Sequence, residues 1–187
     1  PENRWGNFWS ASVAGMLTRE SFMEDITWVN MLKFKASFGQ QGNDDILYPG
    51  VLLEKNYYPW LDQYKMTGAN GTFADGTLLY KGNPDITWET STSYNIGADF
   101  GLFNNKLNGS IEYFGRKSKD MLYNRPTAGS LGYTAVPMNV GSMTNKGVEL
   151  DLNGLLIETN DLTWRMNFNL THFKNTINEL DPSLNGE

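Results

Sequence analysis

The stretch SYNIGADFGLFNNKLNGSIEYFGRK, residues 93–117, decides the fold because it reads as two β-strands around a tight turn. On its first arm, apolar residues occupy most of the alternate positions from Tyr94 to Leu102, with polar or small residues between them. After the turn NNK, the same alternation resumes from Leu107 to Tyr113. Since successive side chains of a strand point to opposite faces, the pattern predicts a hairpin with one apolar and one polar face.

The same alternation recurs in four other segments of the chain. Their apolar series run over 11–17, 32–38, 148–152 and 162–170. Together with the hairpin, they predict about six strands of roughly nine to twelve residues, each with one apolar face. Helical periodicity is scarce, and only TRESFMEDITWVNM has room for a helical turn or two.

The connections between these strands alternate in length. NNK at 104–106 and ETND at 158–161 are short, and a link near 18–30 is of medium length. Two long segments, from about Gln40 to Thr87 and from about Ser118 to Lys146, are rich in Gly, Asn, Pro, Tyr and Trp. Short turns at one end and long loops at the other are typical of an outer-membrane β-barrel.

Two architectures fit this layout. Strands of about 9–11 residues suit a transmembrane barrel, and aromatic residues near strand ends suit its interfacial girdles. A soluble β-sandwich would instead bury the apolar faces in a core and expose the polar faces to water. Six strands are too few to close a bacterial barrel, which has at least eight, so a barrel interpretation requires a larger barrel. The aromatic residues concerned are Trp28, Tyr94, Tyr113 and Trp164.

Composition excludes several classes of protein. The 187 residues are 40% hydrophobic, which is enough for an ordered fold, yet no run of about 18 apolar residues exists to form a transmembrane helix. The net charge of -6 argues against a nucleic-acid surface. The chain has 0 cysteines, so disulfides, thiolate metal sites and cysteine nucleophiles are excluded.

Enzyme chemistry finds little support. His172 is the one histidine of the chain, so neither a multi-histidine metal site nor a triad using a second histidine is available. The acidic groups in 43–45 and 85–89 lack calcium-loop spacing, and we interpret them as solvated loop charges. A glycan-cleaving enzyme needs a carboxylate pair on facing strands, whereas the alternation places Glu149 and Asp151 on one face. A segment of a membrane barrel and a soluble carbohydrate-binding sandwich remain the stronger alternatives.

Four collinear segments carry a family resemblance. NPDITWETSTSYNIGADFGLFNNKLNGSIEYFGRK at 83–117 and NVGSMTNKGVELDLNG at 139–154 resemble corresponding stretches of SusC/RagA-type TonB-dependent outer-membrane transporters. LKFKASFGQQGN at 32–43 and WGNFWSASVAG at 5–15 are similar to the strands before them. The similarity covers nearly the whole chain and favours the membrane barrel over the sandwich. The residues that depart from the family pattern are Trp9, Gly15, Phe38 and Gln41.

This resemblance implies an all-β fold: an antiparallel transmembrane β-barrel segment of about six strands, from a barrel of about 22 strands with long extracellular loops. It implies residence in the outer membrane and import of glycans or peptides, with a SusD-like surface lipoprotein as lid and energy from the TonB-ExbB-ExbD complex. It implies neither catalysis nor a cofactor. We therefore expect residues 1–187 to be a partial barrel domain, with the plug, the TonB-contacting segment and the last strand outside it.

Under this interpretation, each strand has a lipid-facing and a lumen-lining set of side chains, and NNK is a periplasmic turn. The predicted lipid-facing residues are Tyr94, Ile96, Phe100, Leu102, Leu107, Ile111, Tyr113, Leu150, Leu152, Trp164, Met166 and Phe168. The predicted lumen-lining residues are Asn95, Asp99, Glu112, Glu149, Asp151, Asn153, Arg165, Asn167 and Asn169.

The aromatic cluster NYYPW in the first long loop is the strongest candidate for ligand contact. Sugar rings stack on exposed aromatic faces, so Tyr57, Tyr58 and Trp60 are predicted to contact either cargo or the lipoprotein lid. The alternative is that these rings only pack the loop onto its neighbours.

Overall fold

The computed structural model describes residues 3–48, 54–67 and 75–181. The strands of this part are β1 (Ser10–Met16), β2 (Val29–Asn43), β3 (Gln63–Thr67), β4 (Asp75–Tyr80), β5 (Glu89–Leu102), β6 (Leu107–Lys119), β7 (Leu122–Pro126), β8 (Ala135–Asn139), β9 (Ser142–Glu158) and β10 (Thr163–Glu179). Six of them form one antiparallel sheet in the order β1-β2-β5-β6-β9-β10, and the other four form the hairpins β3–β4 and β7–β8.

The predicted all-β sheet of six strands is confirmed, with two corrections. Strands β2, β5, β6, β9 and β10 are 13 to 17 residues long and exceed the predicted nine to twelve, because backbone pairing continues past the apolar stretches that marked them, while β1 has 7 residues. The hairpins β3–β4 and β7–β8 lie inside the long connections, where no alternation of apolar and polar residues predicted them. The short 3-10 turns at Leu17–Arg19 and Ser21–Met23 lie where the sequence allowed a helical turn or two.

The two ends of the sheet differ in the length of their connections. The turn end holds residues 103–106 and 159–162 and the 3-10 turns between β1 and β2. The loop end holds the described residues of the two long connections, 44–48, 54–67 and 75–88 between β2 and β5, and 120–141 between β6 and β9. At the turn end, Asn104 and Asn105 have φ of 59° and 60°, as a tight asparagine turn requires, and Phe103 has φ of 55°. Both asparagine backbone N–H groups donate to Asn30 Oδ1, over 2.6 and 3.3 Å.

The apolar core of the described residues lies outside the six-stranded sheet. The buried apolar side chains are Ile46, Tyr80, Ile86 and Ala135, which belong to the two long connections. No strand of the six-stranded sheet contributes a buried apolar residue to this set. A sandwich would bury one face of that sheet, so the alternative of a soluble sandwich does not describe this chain.

The sheet is open, because β1 and β10 each pair with a single neighbour. Among the described residues, no helix has the length and apolar character needed to cross a membrane.

Candidate functional site

The register of the six-stranded sheet sorts its side chains onto two faces. Ile96 is the partner of Tyr113 across β5 and β6, and Tyr113 is the partner of Val148 on β9. One residue along, Gly97 is the partner of Glu112, and Glu112 is the partner of Glu149. Cross-strand partners share a face, so the residues predicted to face lipid lie together on an apolar face and those predicted to line the lumen lie together on a polar face. Which medium each face contacts remains a prediction.

The apolar face is open to its surroundings rather than packed. Ile96 and Ile111 are each 47% exposed in the middle of the sheet, and the rings of Tyr94 and Tyr113 lie 6.0 Å apart. The Tyr94 ring also covers Gly115, where an added Cβ would collide with that ring. A band of large apolar side chains therefore covers this face, and these side chains stay exposed among the described residues.

The polar face carries ion pairs and hydrogen bonds. Lys35 Nζ lies 3.0 Å from Asp99 Oδ1 and 3.2 Å from Glu112 Oε2, which ties β2 to β5 and β6. Asn95 Nδ2 donates to Ser37 Oγ over 3.3 Å, and Arg116 Nε donates to Ser91 Oγ over 2.7 Å nearer the loop end. The polar face is therefore a cross-linked wall suited to contact with water or with polar groups of another segment.

Acidic groups gather on this wall between β6 and β9. Glu112 and Glu149 are direct register partners, and Asp151 is the partner of Ser110 beside them. Like charges directly opposite each other on a sheet are destabilising. Lys35 offsets part of this repulsion through Glu112, and Asn153 Nδ2 donates to Asp151 Oδ1 over 2.6 Å.

Asparagine side chains fasten the two long connections to each other. Asn139 Oδ1 accepts from the Thr87 backbone N–H over 2.7 Å, while Asn139 Nδ2 donates to the carbonyls of Thr87 and Asp120, each over 2.9 Å. Asn83 Nδ2 donates to the Pro137 carbonyl over 2.9 Å. These bonds join the described residues of the two long connections, 44–48, 54–67, 75–88 and 120–141, into one unit at the loop end, hereafter the loop block.

The aromatic candidates lie on the surface of the loop block. Tyr57 is 68% exposed and Tyr58 is 57% exposed, while Trp60 is half-buried. The Tyr58 and Trp60 rings meet edge to face at 5.7 Å, and Lys55 Nζ lies 5.8 Å from the centre of the Tyr57 ring. The structure thus brings Tyr58 and Trp60 together, packs them partly on each other, and leaves two tyrosine faces accessible.

A buried hydrogen-bond network holds this cluster in place. Asn56, 1% exposed, accepts at Oδ1 from the Tyr58 backbone N–H and from Gln63 Nε2, each over 3.0 Å. Gln63 Oε1 in turn accepts from the Tyr48 hydroxyl over 2.7 Å. Burial raises the pKa of Tyr80. The neighbouring Asn56 side chain opposes that rise. Within the described residues, the Tyr80 hydroxyl makes no well-formed hydrogen bond.

Two surface ion pairs flank the network. Lys55 Nζ lies 3.0 Å from Asp44 Oδ1, and the hydrogen bond to Asp44 raises the pKa of Lys55. Lys81 Nζ lies 2.7 Å from Asp62 Oδ2, and the Gly82 backbone N–H donates to Asp62 Oδ1 over 2.9 Å. The hydrogen bond from Lys81, followed by that from Gly82, lowers the pKa of Asp62.

A cavity of about 220 Å³ opens beside the aromatic cluster. Tyr57, Trp60 and Trp88 contribute to its walls, and Trp88 Nε1 donates to the Arg4 carbonyl over 3.2 Å. Sequence reasoning missed the contribution of Trp88 because it lies 28 positions from Trp60 and is brought close only by the fold. Its place in the segment NPDITWE was the one available signal.

The remaining candidate residues from the sequence are His172 and the acidic groups of the long connections. The described residues contain no group of three or more His, Cys, Asp or Glu side chains arranged to hold a metal ion. His172 is the register partner of Val148 on the apolar face. Asp44 and Asp45 lie within 4.0 Å of Lys55 at the surface.

Comparison with known proteins agrees with this architecture. A family model described as TonB dependent receptor-like, beta-barrel, matches residues 7–187. The chain is 31% identical over 187 residues to the TonB-dependent receptor SusC of Bacteroides thetaiotaomicron, an alignment that covers 96% of this chain and 18% of that protein. The chain therefore spans less than a fifth of the length of this relative.

Solved structures agree as well. The RagAB peptide transporter superposes with a TM-score of 0.82 at 27% identity, covering 96% of this chain and 19% of that chain. The open-open state of the RagAB peptide importer superposes with a TM-score of 0.77, covering 95% of this chain and 18% of that chain. These relatives are receptors and transporters of the outer-membrane class, and the chain belongs to the TonB-dependent receptor-like β-barrel family.

Proposed function

We propose that this chain forms part of the wall and extracellular loops of an outer-membrane TonB-dependent transporter that imports glycans or peptides. The observation that carries the proposal is the open six-stranded sheet with an exposed apolar face and an ion-paired polar face. Both edges of this sheet leave backbone groups to be paired, and in lipid only a closed barrel satisfies them. Other segments of the full-length protein then complete the barrel, and residues 1–187 are a partial barrel domain.

The orientation of the wall follows from its two faces. The apolar face, with Ile96 and Ile111 at its centre, contacts the hydrocarbon of the bilayer. The polar face, with Lys35, Asp99 and Glu112, lines the lumen and contacts water, cargo or a plug. The turn end is periplasmic and the loop end extracellular, as in outer-membrane barrels generally.

The cargo class rests on the relatives. The RagAB structures are of a peptide importer, and SusC is a TonB-dependent receptor. RagAB supports a peptide as cargo, and SusC supports dependence on TonB. The family resemblance of the sequence adds glycans as the alternative cargo, energy from the TonB-ExbB-ExbD complex and a SusD-like lipoprotein lid. The loop block is the part of this chain positioned to meet such a lid.

The aromatic cluster is the contact region we assign within the loop block. Tyr57 and Tyr58 present accessible ring faces, and Trp60 borders the cavity beside them. Aromatic rings with polar neighbours stack well on sugar rings and on the side chains of peptides. These three residues contact cargo or the lid in the assembled transporter.

Cell fractionation followed by uptake tests the proposal. Antibody against residues 40–87 should detect the full-length protein in the outer membrane, with a gel mobility that shifts on boiling. Cells should accumulate a labelled glycan or peptide from a small panel, and a strain without TonB should not. A soluble protein with no heat shift would overturn the proposal. Replacement of Tyr57 and Tyr58 by alanine should then weaken uptake without changing the amount of protein in the membrane.

A further inference from the structure

The apolar face ends in a cluster of lysines at the loop end. Within β5 and β6, Tyr94 and Tyr113 are the last aromatic residues of that face before the loop end. On the same face, Lys146 on β9 and Lys174 on β10 lie in the row of Tyr94, and Lys117 and Lys119 on β6 lie beyond that row. The register fixes this placement, because Tyr94 is the partner of Gly115, Gly115 of Lys146, and Lys146 of Lys174.

Three of the lysines are neighbours in register, and Lys119 lies two residues beyond Lys117 on β6. Lys146 and Lys174 are direct cross-strand partners, and Lys117 lies diagonally from Lys146 on the next strand. Direct partners have Cβ atoms about 5 Å apart and diagonal ones about 7 Å. All four are exposed, and none joins an ion pair with another described residue.

The surroundings of the cluster add hydroxyl groups and a single nearby carboxylate. Thr92, Thr144 and Thr176 share one row of this face with Lys117. The acidic residue nearest in register is Glu179, beyond that row, whose carboxylate accepts from Ser142 Oγ over 3.3 Å. Two lysines directly opposite each other repel, so their arrangement favours an anionic partner from outside the chain.

We propose that Lys117, Lys119, Lys146 and Lys174 bind the phosphorylated headgroup of an outer-leaflet glycolipid. The inference rests on the proposed orientation, in which this face contacts lipid and the loop end is extracellular. The lysines then lie just above the hydrocarbon at the depth of the headgroups, where Lys side chains attract anionic lipid. The net charge of the chain is -6, so this cationic surface is opposite in sign to the chain as a whole.

The asymmetry of the face supports an outer-leaflet ligand. At the turn end, the same face ends in Leu102, Leu107 and Gly154, which are register partners and carry no charge. The cation cluster thus occupies one membrane boundary of this face and not the other. A phosphorylated glycolipid confined to the outer leaflet matches that one-sided distribution, whereas free phosphate in solution would impose no such depth.

Retention of purified lipid A by the full-length protein tests the inference. The protein is placed in phosphatidylcholine nanodiscs containing a small fraction of lipid A, and native mass spectrometry counts lipid A bound per barrel. Lys146→Gln should lower the apparent affinity about fivefold and Lys146→Gln/Lys174→Gln about 25-fold. Lys106→Gln, at the turn end, is the matched control and should leave retention unchanged, as should Lys146→Arg. Excess inorganic phosphate should displace little lipid A.

Several outcomes would overturn the inference. They are unchanged retention in the double variant, an equal loss in Lys106→Gln, and full displacement by inorganic phosphate. Heat-dependent gel mobility confirms that each variant is a folded barrel. A nitroxide at position 111 separates the two proposals: a label exposed to lipid with unchanged lipid A retention defeats this inference alone, whereas a label exposed to water defeats the proposed orientation as well.

Discussion

The six-stranded sheet and the loop block are stabilised in different ways. The sheet has no buried apolar side chain among its described residues, and its strands are held by backbone ladders and by ion pairs such as Lys35–Asp99. The loop block contains the buried side chains Ile46, Tyr80 and Ile86 and is joined by asparagine amides. The sheet thus depends on its surroundings to cover its apolar face, while the loop block carries a small core of its own.

The largest effect should come from charging the apolar face. Ile111→Lys should cost about 2–4 kcal/mol of folding free energy if residue 111 lies near the bilayer midplane, because a cation there meets hydrocarbon. Ser110→Lys is the matched control: its side chain joins the polar face between Asp99 and Asp151 and should cost little. Urea unfolding of the full-length protein in lipid vesicles measures both, and equal costs would contradict the assignment of the faces.

A smaller effect should follow from cutting the main link within the loop block. Asn139→Ala removes three hydrogen bonds to backbone groups and should lower the local opening free energy by about 1–3 kcal/mol. Hydrogen exchange of the peptide containing Thr87 measures this change. Asn124→Ala removes a single bond to the Leu47 carbonyl and should have less effect. Unchanged exchange in Asn139→Ala would show that packing alone joins the two connections.

The turn end offers a test of backbone conformation. Asn104 has φ of 59°, so Asn104→Ala should cost about 1 kcal/mol, because a Cβ disfavours the left-handed region and alanine lacks the local bonds of asparagine. Asn104→Gly should cost less, since glycine adopts positive φ freely. The same urea unfolding series compares the two variants. A lower cost for alanine than for glycine would contradict the left-handed turn.

The smallest effect should be the pH response of the Asp62–Lys81 pair. Lys81 lowers the pKa of Asp62, so the pair stabilises the loop block above the unfolded-state pKa of Asp62 and is lost as pH falls through its lower folded-state value. Asp62→Asn should speed hydrogen exchange at Gly82 at neutral pH and abolish that acid dependence. If the wild type and Asp62→Asn exchange alike at neutral pH, the pair contributes nothing measurable.

The difference between the two regions also explains what could be predicted from sequence. Alternation over residues 94–113 predicted the hairpin, its two faces and its asparagine turn, because a strand with one apolar face leaves a period-two record. The segments that form the hairpins β3–β4 and β7–β8 show no such alternation. They depend on long-range bonds, such as that from Asn83 to the Pro137 carbonyl, which no local pattern encodes.

The residues of the candidate site, too, could be predicted from sequence only in part. Tyr57, Tyr58 and Trp60 were identified as a local run of aromatic residues. The cavity beside them also needs Trp88, and the lysine cluster needs the register of β6, β9 and β10. Sequence alone therefore identified the aromatic run and the alternating faces of the strands, and it missed Trp88 and the lysine cluster, which only the fold brings together.

Spin labels at consecutive positions 109–113 of β6, introduced singly into the full-length protein in lipid vesicles, test the central claim most directly. Accessibility to oxygen should exceed accessibility to a water-soluble nickel complex at 109, 111 and 113, and the order should reverse at 110 and 112. This period of two would place the apolar face against lipid and the polar face against water. Equal accessibility at neighbouring positions, or the opposite order, would contradict the account.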